Sequence, residues 1–374
     1  MNTQHGFATR RFGVLLVSLA TAVIALGAAQ PATAQVTPAA GSTPPDDTPS
    51  IKIGMTLYAD YTFTEQPEQK DSDGNTIKPN AFNVSRSYIN ITGNISHIVA
   101  FRITPDVSRE TGTGSSLNGS LTFRIKYAFA QVNLDDWMPK GTWVRLGVQQ
   151  TPFIDYVEGI YRYRFQGTVL IEREGFMSSA DTGASFHTAF PGNYGELHVG
   201  IYNGEGYARA EANDQKALQI RGTLRPLPMR PLLRGLRVTG FYVADNYVQN
   251  APRKRALLDL TFEHKYVNAG FDYLDTKDQT SVIKPLAHGQ GWSAWATPKF
   301  TRGVEALLRY DRFKPNTDVE GRRKRTIAGI AYWFPHQGTV SAALLVDYEQ
   351  VVFSSFVPAQ PKQERVALHG LVAF

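Results

Sequence analysis

The final segment of the chain limits its possible folds more than any other. Val366, Leu368, Gly370, Val372 and Phe374 fall on every second residue up to the last one. Period two is the signature of a strand with one apolar face. A strand wall that faces lipid needs apolar residues at that period and a closed ladder with no unpaired backbone edge. The expectation is an all-β transmembrane antiparallel barrel. Phe374 would sit at the membrane boundary, where the barrel-assembly machinery would read it.

The other end of the chain agrees. Arg10 and Arg11 precede an apolar body at 12–29, and Ala32-Thr33-Ala34 forms an A-x-A cleavage site. Residues 1–34 are expected to be a cleaved signal peptide for export to a bacterial outer membrane. The paired arginines are not read as a twin-arginine signal, because that route carries folded cargo and a barrel must cross the inner membrane unfolded. Beyond the signal no apolar run reaches the ~18 residues of a membrane helix, so entry into a bilayer must use strands. Residues 35–50, rich in Pro, Thr, Ala and Asp, read as a flexible periplasmic leader, and 51–374 as the barrel.

Alternation recurs along the chain. Ile51, Ile53, Met55, Leu57, Ala59, Tyr61 and Phe63 oppose Lys52, Thr56, Tyr58, Asp60 and Thr62. Leu121, Phe123, Ile125, Tyr127 and Phe129 oppose Thr122, Arg124 and Lys126. The segments beginning at Leu218, Val304 and Val340 read the same way. Connections alternate in length: 191–194, 264–266 and 335–338 are short, whereas 65–81, 108–119, 151–179, 276–290 and 314–324 are long and polar. Short periplasmic turns and long external loops produce this rhythm. Counting pairs gives about sixteen strands, with fourteen to eighteen allowed, which leaves an aqueous channel.

With 17 Tyr and 21 Phe the chain can supply interfacial aromatic girdles, and with no Cys it has neither disulfides nor thiolate metal sites. The formal net charge is +6, of which Arg10 and Arg11 leave with the signal. The sign suits a lumen that attracts anions. Arg86, Arg102, Arg124, Lys126, Arg145, Arg221, Arg225 and Arg237 fall on faces assigned to the lumen in the first part of the barrel. Asp259, Glu263, Asp272, Glu305, Asp311, Asp347 and Glu349, with Arg309, follow in the second. Basic walls select anions and carboxylates select cations; the opposite reading is that these charges pair and only keep the lumen wet.

The longest loop, 151–179, follows the fifth strand and carries Asp155, Glu158, Arg162, Arg164, Glu172, Arg173 and Glu174. Tyr161, Tyr163 and Phe165 alternate with its arginines, so it is expected to pack against the wall, with Arg162 and Arg164 as constriction residues. Gly321-Arg322-Arg323-Lys324-Arg325 reads as an external loop face able to meet the phosphates of lipopolysaccharide or to funnel anions. Asp71-Ser72-Asp73-Gly74-Asn75 lacks the downstream Glu of a calcium loop and reads as a polar turn. No cofactor, metal or nucleic-acid partner is expected. No HExxH, GxSxG or phosphate-loop pattern occurs, so enzyme chemistry is not expected.

Four segments carry a family resemblance. They are Phe82-Asn83-Val84-Ser85-Arg86-Ser87-Tyr88-Ile89 leading to Gly93, Gly147-Val148-Gln149-Gln150-Thr151-Pro152-Phe153, Ile171-Glu172-Arg173, and Ile201-Tyr202-Asn203-Gly204-Glu205-Gly206. In these the chain resembles the phosphate-selective porins O and P. The resemblance implies a sixteen-stranded trimeric porin whose arginines and lysines favour anions. Two positions depart from it. Gln150 stands where the family usually has lysine, and the R-x-R strand is reduced to Arg86 followed by Tyr88. The expectation is a channel for small hydrophilic solutes with a mild anion preference, possible for phosphate. The alternatives are a general or sugar-passing porin, an outer-membrane barrel enzyme, and a structural or adhesive barrel.

Overall fold

The computed structural model describes residues 47–336 and 340–374. The expected signal peptide at 1–34 and residues 35–46 of the leader lie outside the described residues. Sixteen strands close into one antiparallel barrel. They are β1 Ser50–Gln66, β2 Asn80–Asn94, β3 Val99–Arg109, β4 Leu121–Asn133, β5 Trp143–Gln150, β6 Ala180–Ala189, β7 Gly195–Tyr202 and β8 Ala217–Leu224. The second half is β9 Leu236–Val248, β10 Ala251–Glu263, β11 Val267–Asp278, β12 Ala287–Pro298, β13 Val304–Lys314, β14 Arg322–Trp333, β15 Ser341–Ser354 and β16 Gln363–Ala373. Each strand pairs with its sequence neighbours, and β1 closes on β16 with Phe63 opposite Val366 and Thr56 opposite Ala373. The Phe374 N–H donates to the Met55 carbonyl at 3.0 Å and the Met55 N–H to the Phe374 carbonyl at 3.1 Å. Every strand therefore has two partners, which is the condition a bilayer imposes.

The apolar alternation lies on the outside. Ile51, Ile53, Phe82, Phe123 and Leu146 are exposed, whereas the residues between them turn inward. One face assignment fails. The β3–β4 register shifts between Thr104 and Pro105, so that Lys126 is an extra residue in β4. Such a bulge reverses the facing of everything beyond it. Leu121, Phe123 and Ile125 face out as expected, but Tyr127 and Phe129 are buried inside the barrel. The visible signal is Pro105, since a proline within a paired strand is confined to edges and bulges.

The rhythm of the connections also has exceptions. β9 and β10 are joined at the long-loop end by only Gln249 and Asn250, with Asn250 at φ 66°. Asparagine tolerates the left-handed conformation that a tight hairpin turn requires. The cluster Arg322-Arg323-Lys324-Arg325 forms the first residues of β14 rather than a loop. Asp71 accepts the N–H groups of Asp73 at 3.0 Å and Asn75 at 2.9 Å, which makes the 71–75 segment the polar turn of a small loop hairpin.

Candidate functional site

Loop 151–179 does not project outward. It contains helix α1 Ile154–Tyr161 and the single turn α2 Leu170–Arg173, and both are packed inside the barrel. Phe153, Ile154, Val157, Tyr161, Tyr163, Leu170 and Ile171 form one cluster with Phe241, Leu274, Trp295, Leu307, Phe313, Ile327 and Trp333 of the wall β9–β14. Burying an aliphatic or phenyl side chain of this size contributes about 1.5–3 kcal/mol, so this face seats the loop.

Polar contacts fix its register. Helix α1 ends at Arg162, whose left-handed φ of 67° turns the chain while its N–H still reaches the Glu158 carbonyl. The turn aims the Arg162 guanidinium at Glu305, 3.0 Å away and beside the Trp333 ring. The Tyr163 hydroxyl donates to the other Glu305 oxygen at 2.9 Å. Asn268 donates to the Ile160 carbonyl at 2.8 Å and Arg309 to the Thr168 carbonyl at 2.8 Å. A Cβ at Gly167 would displace the Arg173 guanidinium.

On this wall most charges have an opposite partner, Asp259 and Asp272 excepted. Glu349 meets Arg365 at 2.6 Å, Arg325 at 3.0 Å and Arg173 at 3.5 Å. Glu174 pairs with Arg323 and Arg325. The inward half of the basic cluster is therefore spent on the loop. Arg309 pairs with Asp311 at 2.8 Å, Arg237 with Glu263 at 2.7 Å, and His369 lies 3.3 Å from Asp347. Asp259 and Asp272 stand opposite each other on β10 and β11.

The other wall differs. In strand register, Arg86 and Arg124 lie nearest the long loops, followed by Lys126, then Arg102, then Arg145. Arg86 and Arg124 share one buried carboxylate, Asp106, at 2.9 and 3.1 Å. Arg102, Lys126 and Arg145 have no carboxylate within ion-pair distance among the described residues. Neutral groups hold them instead. Arg102 donates to Asn90 at 2.7 Å and Thr104 at 2.9 Å and lies 4.4 Å above the Tyr127 ring. Lys126 lies 4.5 Å from the Tyr88 ring. Arg145 donates to Gln131 at 2.8 Å and Gln150 at 3.1 Å, 3.7 Å above the Trp143 ring. Aromatic faces and amide oxygens satisfy cations without cancelling their charge. Two of the rings that hold these cations, Tyr127 and Phe129, which lies 4.6 Å from the Arg145 guanidinium, are turned inward by the bulge.

Between ladder and loop lies a cavity of about 100 Å³, lined by Tyr58, Tyr88, Arg102, Lys126, Tyr127, Asp155, Glu158, Arg162 and Arg164 among others. Both expected constriction arginines are here, but neither is a free cation: Arg164 is held by Glu158 and by Glu172 at 2.8 Å. Burial pushes the Glu158 carboxyl up to about 7 against the pull of Arg164. For Glu172 burial acts upward too, yet the Arg164 charge outweighs it and holds the group below the usual range. Burial and the nearby Arg309 bring Arg173 down to about 10. The Tyr127 hydroxyl donates to Asp155 at 2.8 Å, bridging wall and loop. A second cavity of about 240 Å³ lies between the returning end of the loop and β8–β10.

Of the remaining expected residues, Arg221 pairs with Glu196 at 2.6 Å. Arg225 was expected on the lumen face of β8. It lies one residue past the end of that strand, in connection 225–235, because β8 stops at Leu224 ahead of Pro226. Asp106 was not singled out from sequence; no local pattern marks it, since its partners Arg86 and Arg124 come from neighbouring strands.

No protein-family model matches the chain, and no curated protein matches it. Solved structures do. An anion-selective porin from Comamonas acidovorans is 12% identical, with a TM-score of 0.62 over 87% of this chain and 100% of that one. OmpT of Vibrio cholerae, an outer-membrane protein in trimer form, is 10% identical, with a TM-score of 0.57 over 88% of this chain and all of its own. The outer-membrane channel DcaP of Acinetobacter baumannii is 12% identical, with a TM-score of 0.54 over 87% of this chain and 97% of its own. At these identities the likeness is one of fold, and the fold is the closed sixteen-stranded barrel of outer-membrane porins and channels.

Proposed function

We propose that the protein is an outer-membrane diffusion porin, exported with a cleaved signal peptide, whose lumen favours small anions. One observation carries this reading: Arg102, Lys126 and Arg145 descend one wall with no carboxylate within ion-pair distance among the described residues, while Glu263, Glu305, Asp311 and Glu349 of the facing wall pair with arginines. All three are buried, and Arg102 and Lys126 line the cavity between wall and loop together with Asp155 and Glu158; cations held without ion pairs at such a constriction favour anions. The fold shared with the Comamonas anion-selective porin supports the reading. A homotrimer is part of the proposal, supported by the trimer form of Vibrio OmpT.

The test is the reversal potential of the purified protein in a planar bilayer across a potassium chloride gradient. An anion-selective sign supports the ladder. A value near zero leaves a general or sugar-passing porin, and absence of channels from folded protein overturns conduction. Phosphate selectivity is the finer proposal. It predicts that millimolar phosphate blocks chloride current; undiminished current rejects it.

A further inference from the structure

Connection 225–235, between β8 and β9, lies at the end of the barrel opposite the long loops and is the longest connection there. It reads Arg225-Pro226-Leu227-Pro228-Met229-Arg230-Pro231-Leu232-Leu233-Arg234-Gly235, with three arginines and no acid. It is folded into successive turns. The Arg230 N–H reaches the Leu227 carbonyl at 3.2 Å, and the Leu233 and Arg234 N–H groups reach the Arg230 carbonyl at 3.0 and 2.8 Å. The Arg225 N–H donates to the Tyr194 carbonyl at 2.7 Å, tying the segment to the neighbouring turn.

This ordered segment turns its apolar side chains outward: Met229 is 77% and Leu232 70% exposed. The surface is continuous with the lipid-facing wall through Leu224, the outward residue that ends β8. Arg225, Arg230 and Arg234 have no ion pair or side-chain hydrogen bond among the described residues. Aliphatic groups beside free guanidinium groups, at the edge of an apolar wall, match the boundary where acyl chains meet phosphate headgroups.

We propose that residues 225–235 form a binding site for anionic phospholipid of the periplasm-facing leaflet. The three arginines take the headgroup phosphates, and Met229 and Leu232 enter the acyl boundary. The site depends on the barrel being seated in a bilayer and not on conduction.

Native mass spectrometry of the full chain, titrated separately with phosphatidylglycerol and phosphatidylcholine, tests it. The wild type should retain phosphatidylglycerol in preference, and the combined Arg225→Gln, Arg230→Gln and Arg234→Gln variant should lose that preference by about tenfold or more. Leu232→Ser should weaken retention of both lipids. Equal retention of the two lipids by the wild type, or an unchanged preference in the triple variant, would overturn the site. Conductance of the Arg230→Gln with Arg234→Gln variant, which keeps Arg225, should match wild type, which separates failure of this site from failure of the porin reading.

Discussion

The two inner walls of this barrel use their charges in opposite ways. On the wall of β2–β5 the cations rest on tyrosine, tryptophan and phenylalanine rings and on asparagine and glutamine oxygens. On the wall of β9–β16 cations and carboxylates neutralise one another and the inserted loop. The difference shows that a charge count does not describe a lumen. A buried ion pair orders structure and contributes little field, whereas a cation satisfied by neutral groups keeps its field for a passing ion. One wall holds its cations with neutral groups, and the other spends its charges on holding the loop.

The comparison breaks most easily at the ladder. Replacing Arg102, Lys126 and Arg145 together by Ala should lower the chloride-to-potassium permeability ratio by at least about fivefold, read from reversal potentials. On the opposite wall the effect should fall on stability. Glu349→Gln leaves Arg173, Arg325 and Arg365 around a neutral group, and removing one partner of a buried pair costs about 3 kcal/mol or more. Thermal unfolding in detergent should show this, with ion selectivity nearly unchanged. A selectivity change as large as that of the ladder variant would erase the distinction between the walls.

A smaller effect comes from pH. Glu158, facing Arg162, Arg164, Glu172 and Asp155 in the loop, titrates near 7. Below that value it is protonated and neutral, and above it adds a negative charge to the constriction. Anion preference should therefore fall as pH rises from 6 to 8, by about twofold, and Glu158→Gln should flatten the dependence. A slope that survives the substitution assigns the titration to another group. The smallest change expected is Tyr127→Phe, which removes the bridge to Asp155. A hydrogen bond to a charged acceptor contributes about 1.5 kcal/mol, so the variant should unfold slightly earlier and conduct almost as wild type.

Much of the fold was legible because a lipid-facing wall writes its period into the residues: the inward faces of β1, β8, β13 and β15 follow from alternation, and a count of about sixteen strands, with fourteen to eighteen allowed, from the rhythm of the connections. What alternation cannot show is an inserted residue. The bulge at Lys126 turned Tyr127 and Phe129 inward, and only Pro105 on the neighbouring strand hinted at it. The site was less legible. Lys126, Arg102 and Arg145 were recognisable as lumen cations, but whether each has a partner depends on residues many positions away, as with Arg173 and Glu349 or Arg323 and Glu174. Arg162 and Arg164 lie in an inward loop and line its cavity with the wall, and their pairing with Glu305, Glu158 and Glu172 gives them a structural task there.

The central claim is that unpaired and paired lumen cations differ in function. The most direct measurement compares chloride-to-potassium permeability ratios of two double variants in the same bilayer. One is Lys126→Ala with Arg145→Ala from the ladder; the other is Arg309→Ala with Asp311→Ala from the paired wall, which removes a cation together with its partner. The account predicts a several-fold loss of anion preference in the first and a ratio close to wild type in the second. Equal ratios in the two variants would contradict it.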